Sequence, residues 1–168
     1  LAGFSNIWRG AHKALFECKK PIIGALESYA INGGAALALA CDLLIAGKSA
    51  FLQVGEVQIG MAAPYNMAWL SLRHSEQTMA QVALLGERIS GTELKKMELA
   101  LQAVDDSEVL AVARSLAARL SEYPEGGLMR IKAGLRARLE DDADAWFDRF
   151  IQRDPVGKSP KPSSMKGR

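Results

Sequence analysis

The stretch AINGGAALALACDLLIAG, residues 30–47, decides the fold of this 168-residue chain. Asn32 is followed by two glycines, which predict a turn, and then by a run of alanines and leucines. That run, residues 35–41, has too few β-branched residues for a strand and predicts a short buried helix. The apolar segment DLLIA at residues 42–46 predicts a strand, as does PIIGALE at residues 21–27. Because the connections are short, the order strand, helix, strand indicates a parallel, right-handed unit.

Further elements are predicted on both sides of this unit. Apolar residues recur with helical spacing over residues 4–18, and residues 51–52 predict a third strand. The second half of the chain is predicted to be helical. Residues 90–93, Ser-Gly-Thr-Glu, have the pattern of a capping box, and residues 105–108 predict a similar helix start. Two more helices are predicted over residues 124–139 and 144–152.

The composition is that of a globular protein with one sizeable core, at 49% apolar and 24% charged residues. The net charge is +2, and the basic excess lies in residues 153–168, which hold five basic residues and one acidic residue. The rest of the chain is slightly acidic, which does not favour nucleic-acid binding. Glu27, Asn32 and Asp42 interrupt the apolar region too early for a membrane span of about 20 residues.

The two cysteines, Cys18 and Cys41, are predicted to be reduced thiols of a cytosolic-type protein, since no signal-like segment opens the sequence. No Cys/His cluster suggests a metal site. His12 shares its predicted helix with Arg9 and Lys13 and is predicted to lie at the surface.

The glycine turn at Gly33-Gly34 has two interpretations. It can be a tight turn that needs positive φ and close packing. Alternatively, a strand that ends in two glycines and opens a helix presents bare N–H groups at the positive helix end, where a phosphate or a developing oxyanion binds well. The sequence contains neither GxGxxG nor GxxxxGK[ST], which excludes the usual nucleotide loops.

Residues 20–64 resemble the enoyl-CoA hydratase/isomerase (crotonase) family. The features that match the family pattern, in order, are Lys20-Pro21, Gly33-Gly34, Cys41-Asp42, Ile45-Ala46, Phe51, Glu56, Gly60 and Pro64. The segment LLGERIS at residues 84–90 is also similar, and the resemblance covers most of residues 4–150.

The resemblance implies an α/β fold, a crotonase-like spiral of ββα units with a helical C-terminal region that builds trimers, often hexamers. The expected organisation is a ββα core with following helices at residues 1–103, a helical oligomerisation region at 104–152 and a disordered basic tail at 153–168. About the first third of a family chain would precede Leu1. The missing part includes an Ala-Gly-x-Asp loop that supplies one oxyanion N–H group.

The resemblance also implies an acyl-CoA substrate, with coenzyme A as part of the substrate and no separate cofactor. The thioester oxygen would accept a hydrogen bond from the N–H group of Gly33. The other residues expected to contact substrate are Gly34, Ala36, Gly60, Pro64 and Tyr65. Lys132 and Arg149 are candidates for contacts with the CoA phosphates, and the cytoplasm is the expected compartment, with the mitochondrial matrix as the alternative.

Hydration in the family resembles a two-glutamate reaction, and this chain keeps only one of the two. The position of the first glutamate is Ala36, and the second matches Glu56. One base can move a proton between two carbons, so the sequence favours isomerisation of a 3-enoyl-CoA to a 2-enoyl-CoA. We therefore expect Glu56 to be partly buried with a raised pKa. The segment IGMAAPYNMAWL, residues 59–70, is also similar to the isomerase branch.

Three alternatives remain open. The first is 2-enoyl-CoA hydration, with water activated in another way. The second is a non-catalytic or RNA-binding scaffold, which Ala36 and the absent oxyanion loop favour. The third is a piece of a larger enzyme that cannot act by itself.

Overall fold

Strands in this protein come in pairs, and the two members of a pair enter different sheets. The structure is a computed structural model that describes residues 2–152. Its first sheet has the order β1-β3-β6 and is parallel throughout. Its second sheet has the order β2-β4-β5, with β2 parallel and β5 antiparallel to β4. The strands are β1 Ile23–Leu26, β2 Tyr29–Ile31, β3 Leu43–Gly47, β4 Phe51–Gln53, β5 Ile89–Ser90 and β6 Gln102–Val104.

A helix follows each of the first two strand pairs, which gives a repeated ββα unit. The helices are α1 Ala2–Glu17, α2 Gly33–Ala40, α3 Pro64–Arg73, α4 Glu76–Leu85, α5 Gly91–Lys96, α6 Val109–Ser121, α7 Gly127–Arg136 and α8 Ala143–Ile151. Two short 3₁₀ helices cover Glu56–Ile59 and Asp106–Glu108.

The predicted parallel unit is confirmed, since β1 and β3 flank α2 and pair in parallel with Ile23 opposite Leu43. Strands β2, β5 and β6 were not predicted, because two or three residues are too few to show a period. Strand β6 lies across the predicted boundary at residue 103, and the division into domains stays a prediction.

Small side chains allow α2 to lie deep in the molecule. Four of its residues, Ala35, Ala36, Leu39 and Ala40, are buried, and the helix packs against α3 and β2. The main core joins α2 and both sheets to α3, α4 and α8. A smaller core around Ile45 and Val109 packs α6 against β3.

The two predicted helix starts have different outcomes. The Ser90 hydroxyl accepts a hydrogen bond from the Glu93 N–H group at 3.3 Å, which confirms the predicted cap. The start predicted at residues 105–108 is confirmed in position, because the 3₁₀ turn Asp106–Glu108 begins there and leads into α6. It has no side-chain cap, since the Asp105 carboxylate pairs with Lys48 Nζ at 2.7 Å. Helix α6 begins only at Val109, after the intervening 3₁₀ turn.

A buried ionic cluster joins α7 to the start of β3. Asp42 Oδ2 lies 2.7 Å from Lys132 Nζ, and Asp42 Oδ1 lies 3.1 Å from Arg73 Nη2. Lys132 Nζ also donates to the Lys20 carbonyl at 2.7 Å. These bonds direct the Lys132 ammonium into the protein, so its candidacy for a CoA phosphate contact is wrong.

The basic tail predicted at residues 153–168 lies outside the described residues. Within residues 2–152, every helix is too short or too polar to cross a bilayer. In the same part of the chain, Cys18 and Cys41 form no disulfide.

Candidate active site

The turn before α2 is held in an uncommon backbone conformation by hydrogen bonds to two neighbours. Asn32 has φ 50° and ψ −107°, backbone angles that residues other than glycine rarely adopt. Its N–H group donates to the Gln53 carbonyl at 2.8 Å, and its Oδ1 accepts from the Gly55 N–H group at 2.8 Å. The turn is therefore fixed to β4 and to the residue that precedes Glu56.

The first N–H groups of α2 are left without acceptors. Asn32, the N-cap residue, makes no side-chain hydrogen bond to the helix, because its Oδ1 is bonded to Gly55. Among the hydrogen bonds of residues 2–152, none uses the N–H groups of Gly33 or Gly34 as donors. A Cβ atom on Gly33 would lie 3.4 Å from the indole ring of Trp8, so this position is closely covered.

Glu56 opens the 3₁₀ helix next to this turn and is half-buried. Its Oε1 accepts a hydrogen bond from Asn66 Nδ2 at 2.9 Å, while its Oε2 is buried without a partner among the described residues. Burial raises the pKa of Glu56, although its own backbone N–H group and Asn66 act in the opposite direction. The predicted partial burial and raised pKa are confirmed, and a catalytic role for Glu56 stays a prediction.

Asn66 connects Glu56 to the glycine turn, and sequence reasoning missed it. Its Nδ2 donates both to Glu56 Oε1 and to the Asn32 carbonyl, at 2.9 and 3.1 Å. Asn66 is 2% exposed on the first turn of α3. An isolated amide within the apolar segment MAAPYNMAWL is a signal in itself, since a buried polar side chain needs a partner.

The other residues predicted to contact substrate differ in their position and exposure. Gly60 has φ 68° and ends the 3₁₀ helix in the left-handed region that favours glycine. Pro64 opens α3 and lines a groove of about 440 Å³ that Arg149 of α8 also lines. Ala36 is 1% exposed and belongs to the core. Contact of these residues with a substrate stays a prediction.

Tyr65 belongs to an aromatic cluster that adjoins Gly33. Its ring stacks on His12, with ring centroids 4.3 Å apart, and meets Trp8 edge-on at 6.2 Å. Burial raises the pKa of its hydroxyl group. Because Trp8 also covers Gly33, α1 and α3 together form the aromatic side of the candidate site.

The surface position predicted for His12 is wrong, since its side chain is 0% exposed. Trp69 Nε1 donates to His12 Nδ1 at 2.9 Å, so the neutral ring carries its proton on Nε2. Burial lowers the pKa of His12 to about 4. Spacing alone did not reveal this, because Arg9 and Lys13 turn towards Asp144 while His12 turns inward.

His12 should make the protein less stable in mild acid. Its folded-state pKa of about 4 lies below its unfolded value, so the unfolded chain takes up the proton first as pH falls below 6.5. We expect this residue to remove about 2 kcal/mol of unfolding free energy between pH 7 and pH 5. Urea unfolding of the wild type and of His12→Phe at both pH values measures the difference. His74 is present in both proteins, so its contribution cancels, and equal pH slopes would contradict the prediction.

No three of the His, Cys, Asp and Glu side chains in residues 2–152 lie close enough together to hold a metal ion. The candidate site consists of the N–H groups of Gly33 and Gly34, the Glu56 carboxylate and Asn66, which bonds to Glu56 and to Asn32. Within residues 2–152, Glu56 Oε2 has no hydrogen-bond partner.

Comparison with known proteins identifies the family to which this chain is similar. Residues 3–151 match the family model described as enoyl-CoA hydratase/isomerase. The chain is 30% identical over 143 residues to the 1,2-epoxyphenylacetyl-CoA isomerase of Escherichia coli (strain K12), covering 84% of this chain and 54% of that protein. It is 28% identical over 127 residues to a probable mitochondrial enoyl-CoA hydratase of Dictyostelium discoideum, covering 75% of this chain and 46% of that protein. The chain thus spans about half the length of these relatives.

Comparison of the fold with solved structures agrees with the sequence comparison. An enoyl-CoA hydratase from Mycobacterium marinum superposes with a TM-score of 0.76 at 24% identity, covering 87% of this chain and 65% of that one. The predicted crotonase-like α/β fold is confirmed, while trimerisation through the C-terminal helices stays a prediction. The chain belongs to the enoyl-CoA hydratase/isomerase family.

Proposed function

We propose that this protein binds an acyl-CoA and moves a double bond, converting a 3-enoyl-CoA to a 2-enoyl-CoA with Glu56 as the only base. One observation carries the proposal. Glu56 is half-buried, has one unbonded oxygen, and is tied through Asn66 to the residue that precedes Gly33. A base on the 3₁₀ helix and a pair of N–H groups at the start of α2 are therefore linked through Asn66 and Asn32.

The proposed reaction uses both parts of the site. Glu56 removes a proton from carbon 2 of the acyl group, and the electron pair moves onto the thioester oxygen. The N–H group of Gly33, at the positive end of α2, stabilises that oxygen as its charge develops. The same carboxyl group then returns its proton to carbon 4, so the double bond ends between carbons 2 and 3 and Glu56 is ionised again.

Burial of Glu56 suits this task. A carboxylate with a raised pKa is a stronger base towards a carbon acid than one in water. Trp8 covers Gly33 and Tyr65 packs on Trp8, so apolar rings lie on one side of the turn. An apolar surrounding would strengthen the interaction of the N–H groups with the enolate.

Hydration of a 2-enoyl-CoA is the second candidate, and the relative from Dictyostelium discoideum is named as a hydratase. Water addition works best with a second carboxylate to hold the water. The position that matches this carboxylate is Ala36, which is buried in the core. We therefore place isomerisation first and hydration second.

The remaining parts of the proposal follow the family. The two relatives described above are named for CoA thioesters, which supports an acyl-CoA substrate. We propose that the reaction uses no separate cofactor. We propose that Gly34, Gly60, Pro64 and Tyr65 line the acyl site, that a trimer or hexamer forms, and that the protein acts in the cytoplasm.

The test is a pair of absorbance assays on the protein expressed from its complete gene. We expect 3-hexenoyl-CoA to gain the absorbance of a conjugated thioester. Loss of that absorbance from 2-hexenoyl-CoA would support hydration instead. If neither substrate changes, the isomerase proposal fails and another acyl-CoA reaction or the scaffold alternative is favoured. An RNA mobility shift that weakens with salt would then point to the scaffold.

A further inference from the structure

We propose that Asn66 is the positioning residue for Glu56: its amide fixes Oε1, leaves Oε2 free to carry the proton, and sets the carboxylate against the turn of Gly33. This inference rests on the proposed function as far as catalysis is concerned. The placement of the carboxylate itself is independent of it and can be measured without a substrate.

The amide has only one orientation that fits its neighbours. Its NH₂ group has two hydrogens, and the structure gives it two acceptors, Glu56 Oε1 at 2.9 Å and the Asn32 carbonyl at 3.1 Å. The reverse orientation would place Asn66 Oδ1 against two other oxygens. In the observed orientation Oδ1 is buried without a partner among residues 2–152, so the two donor bonds determine how the side chain lies.

These bonds make the two oxygens of Glu56 unequal. Oε1 is held by a group that donates at every pH at which the protein folds, since an amide does not titrate in that range. Oε2 is buried and has no partner among the described residues. A carboxyl group that takes and returns a proton needs one oxygen without a hydrogen bond, here Oε2. The bond that holds Oε1 fixes the direction in which Oε2 lies.

The hydrogen bond from Asn66 also favours the ionised form of Glu56. Burial alone raises the pKa of Glu56, and the amide hydrogen bond opposes that rise. No charged side chain contributes to this shift; the other contribution is the backbone N–H group of Glu56 itself. Among the described residues, Asn66 supplies the side-chain hydrogen bond that lowers the pKa of Glu56 against the effect of burial.

The second bond of Asn66 links the base to the N–H groups. The Asn32 carbonyl belongs to the residue before Gly33, and Asn32 Oδ1 accepts from Gly55, the residue before Glu56. The start of α3, the start of α2 and the 3₁₀ helix are thus connected through one buried side chain. Because Asn66 is 2% exposed, solvent does not compete for these bonds.

Two variants test the role. Asn66→Leu removes both donor bonds and keeps the branched shape of the side chain. Asn66→Asp keeps both shape and size but places a second carboxyl group against Glu56. Carboxyl ¹³C NMR follows the titration of Glu56, whose resonance is assigned by its loss in Glu56→Gln. We expect the titration midpoint of Glu56 to move to higher pH in both variants, because the amide donor is gone and, in Asn66→Asp, a like charge opposes ionisation.

Kinetics provide the second measurement. In Asn66→Leu we expect kcat/KM for 3-hexenoyl-CoA to fall roughly 10- to 100-fold, as for a misplaced catalytic group. The acid limb of the pH profile of kcat/KM in this variant should move to higher pH together with the NMR midpoint of Glu56, because the ionised carboxylate is the active form. In a Glu56→Gln background the same substitution should cause no further loss.

The outcomes separate the two proposals. Unchanged NMR midpoints in folded variants would overturn the role of Asn66. A shifted midpoint in a protein that turns over neither substrate would support the placement of Glu56 and refute the proposed function. Circular dichroism monitors folding, and Asn66→Asp keeps the test available if Asn66→Leu does not fold.

Discussion

Replacing Glu56 by glutamine should lower kcat for 3-enoyl-CoA isomerisation about 10²- to 10⁴-fold, the range expected for loss of a general base. The substitution changes little else. Glutamine has the same shape, and its Oε1 can still accept the hydrogen bond from Asn66 Nδ2. Its amide nitrogen cannot take a proton from carbon 2. Steady-state kinetics with 3-hexenoyl-CoA should therefore show a large fall in kcat and little change in KM.

The pH profile gives an independent check on the same residue. Since burial raises the pKa of Glu56, the acid limb of kcat/KM in the wild type should lie above the ordinary pKa range of a glutamate. Glu122→Gln is the matched control, because Glu122 is exposed at the end of α6 and should leave activity unchanged. Full activity in Glu56→Gln would contradict the proposed base and favour a different acyl-CoA reaction.

The sequence was sufficient for those parts of the site that depend on local preferences. Two glycines before an alanine-rich run can hardly form anything other than a turn that opens a helix, and α2 begins at Gly33. The parallel pairing of β1 and β3 follows from the helix α2 in the crossover between them. The partial burial of Glu56 was predicted from the family resemblance, not from its spacing.

The partners that allow Asn66 and His12 to be buried were beyond the reach of pattern analysis for one physical reason. Each of these two residues is a polar side chain whose burial becomes tolerable only through a partner distant in the sequence: Asn32 for Asn66, and Trp69 for His12. A helical period shows which side of a helix is apolar, but it does not show which polar residue on that side finds a partner. Such pairs become visible only when α1, α2 and α3 are packed together.

Lys132→Met is the second substitution with a large expected effect, and it concerns stability. The side chains of Lys132 and Asp42 are 7% and 14% exposed, and their charged atoms lie 2.7 Å apart. Removing one partner of a buried pair costs about 3–5 kcal/mol, because the other charge stays in a poorly solvated place. Arg73 and the N–H group of Ile22 still contact Asp42, so we expect a loss of about 3 kcal/mol. Urea unfolding at pH 7 measures it.

An exposed pair of the same kind supplies the control. Lys96 Nζ lies 3.1 Å from Glu93 Oε2, but the Lys96 side chain is 68% exposed. Lys96→Met should therefore change the unfolding free energy by less than about 0.5 kcal/mol. Similar losses in the two variants would show that lost methylene packing or helix propensity, and not the buried charge, determines the effect.

The loss of unfolding free energy in Lys132→Met should also depend on pH, and the direction of this dependence follows from the pKa of Asp42. Burial acts to raise the pKa of Asp42, but Lys132, the N–H group of Ile22 and Arg73 together hold it below its usual value. Asp42 therefore stabilises the wild type above its unfolded pKa, and this contribution is lost as pH falls through the lower folded pKa. Without Lys132 the folded-state pKa of Asp42 rises and its contribution to stability becomes smaller.

The difference in unfolding free energy between wild type and variant should then be largest near neutral pH and decrease in acid, where Asp42 is protonated in both. A difference that stays constant from pH 7 into the acid range would mean that Lys132 acts through packing, and that its ion pair with Asp42 contributes little to joining α7 to β3.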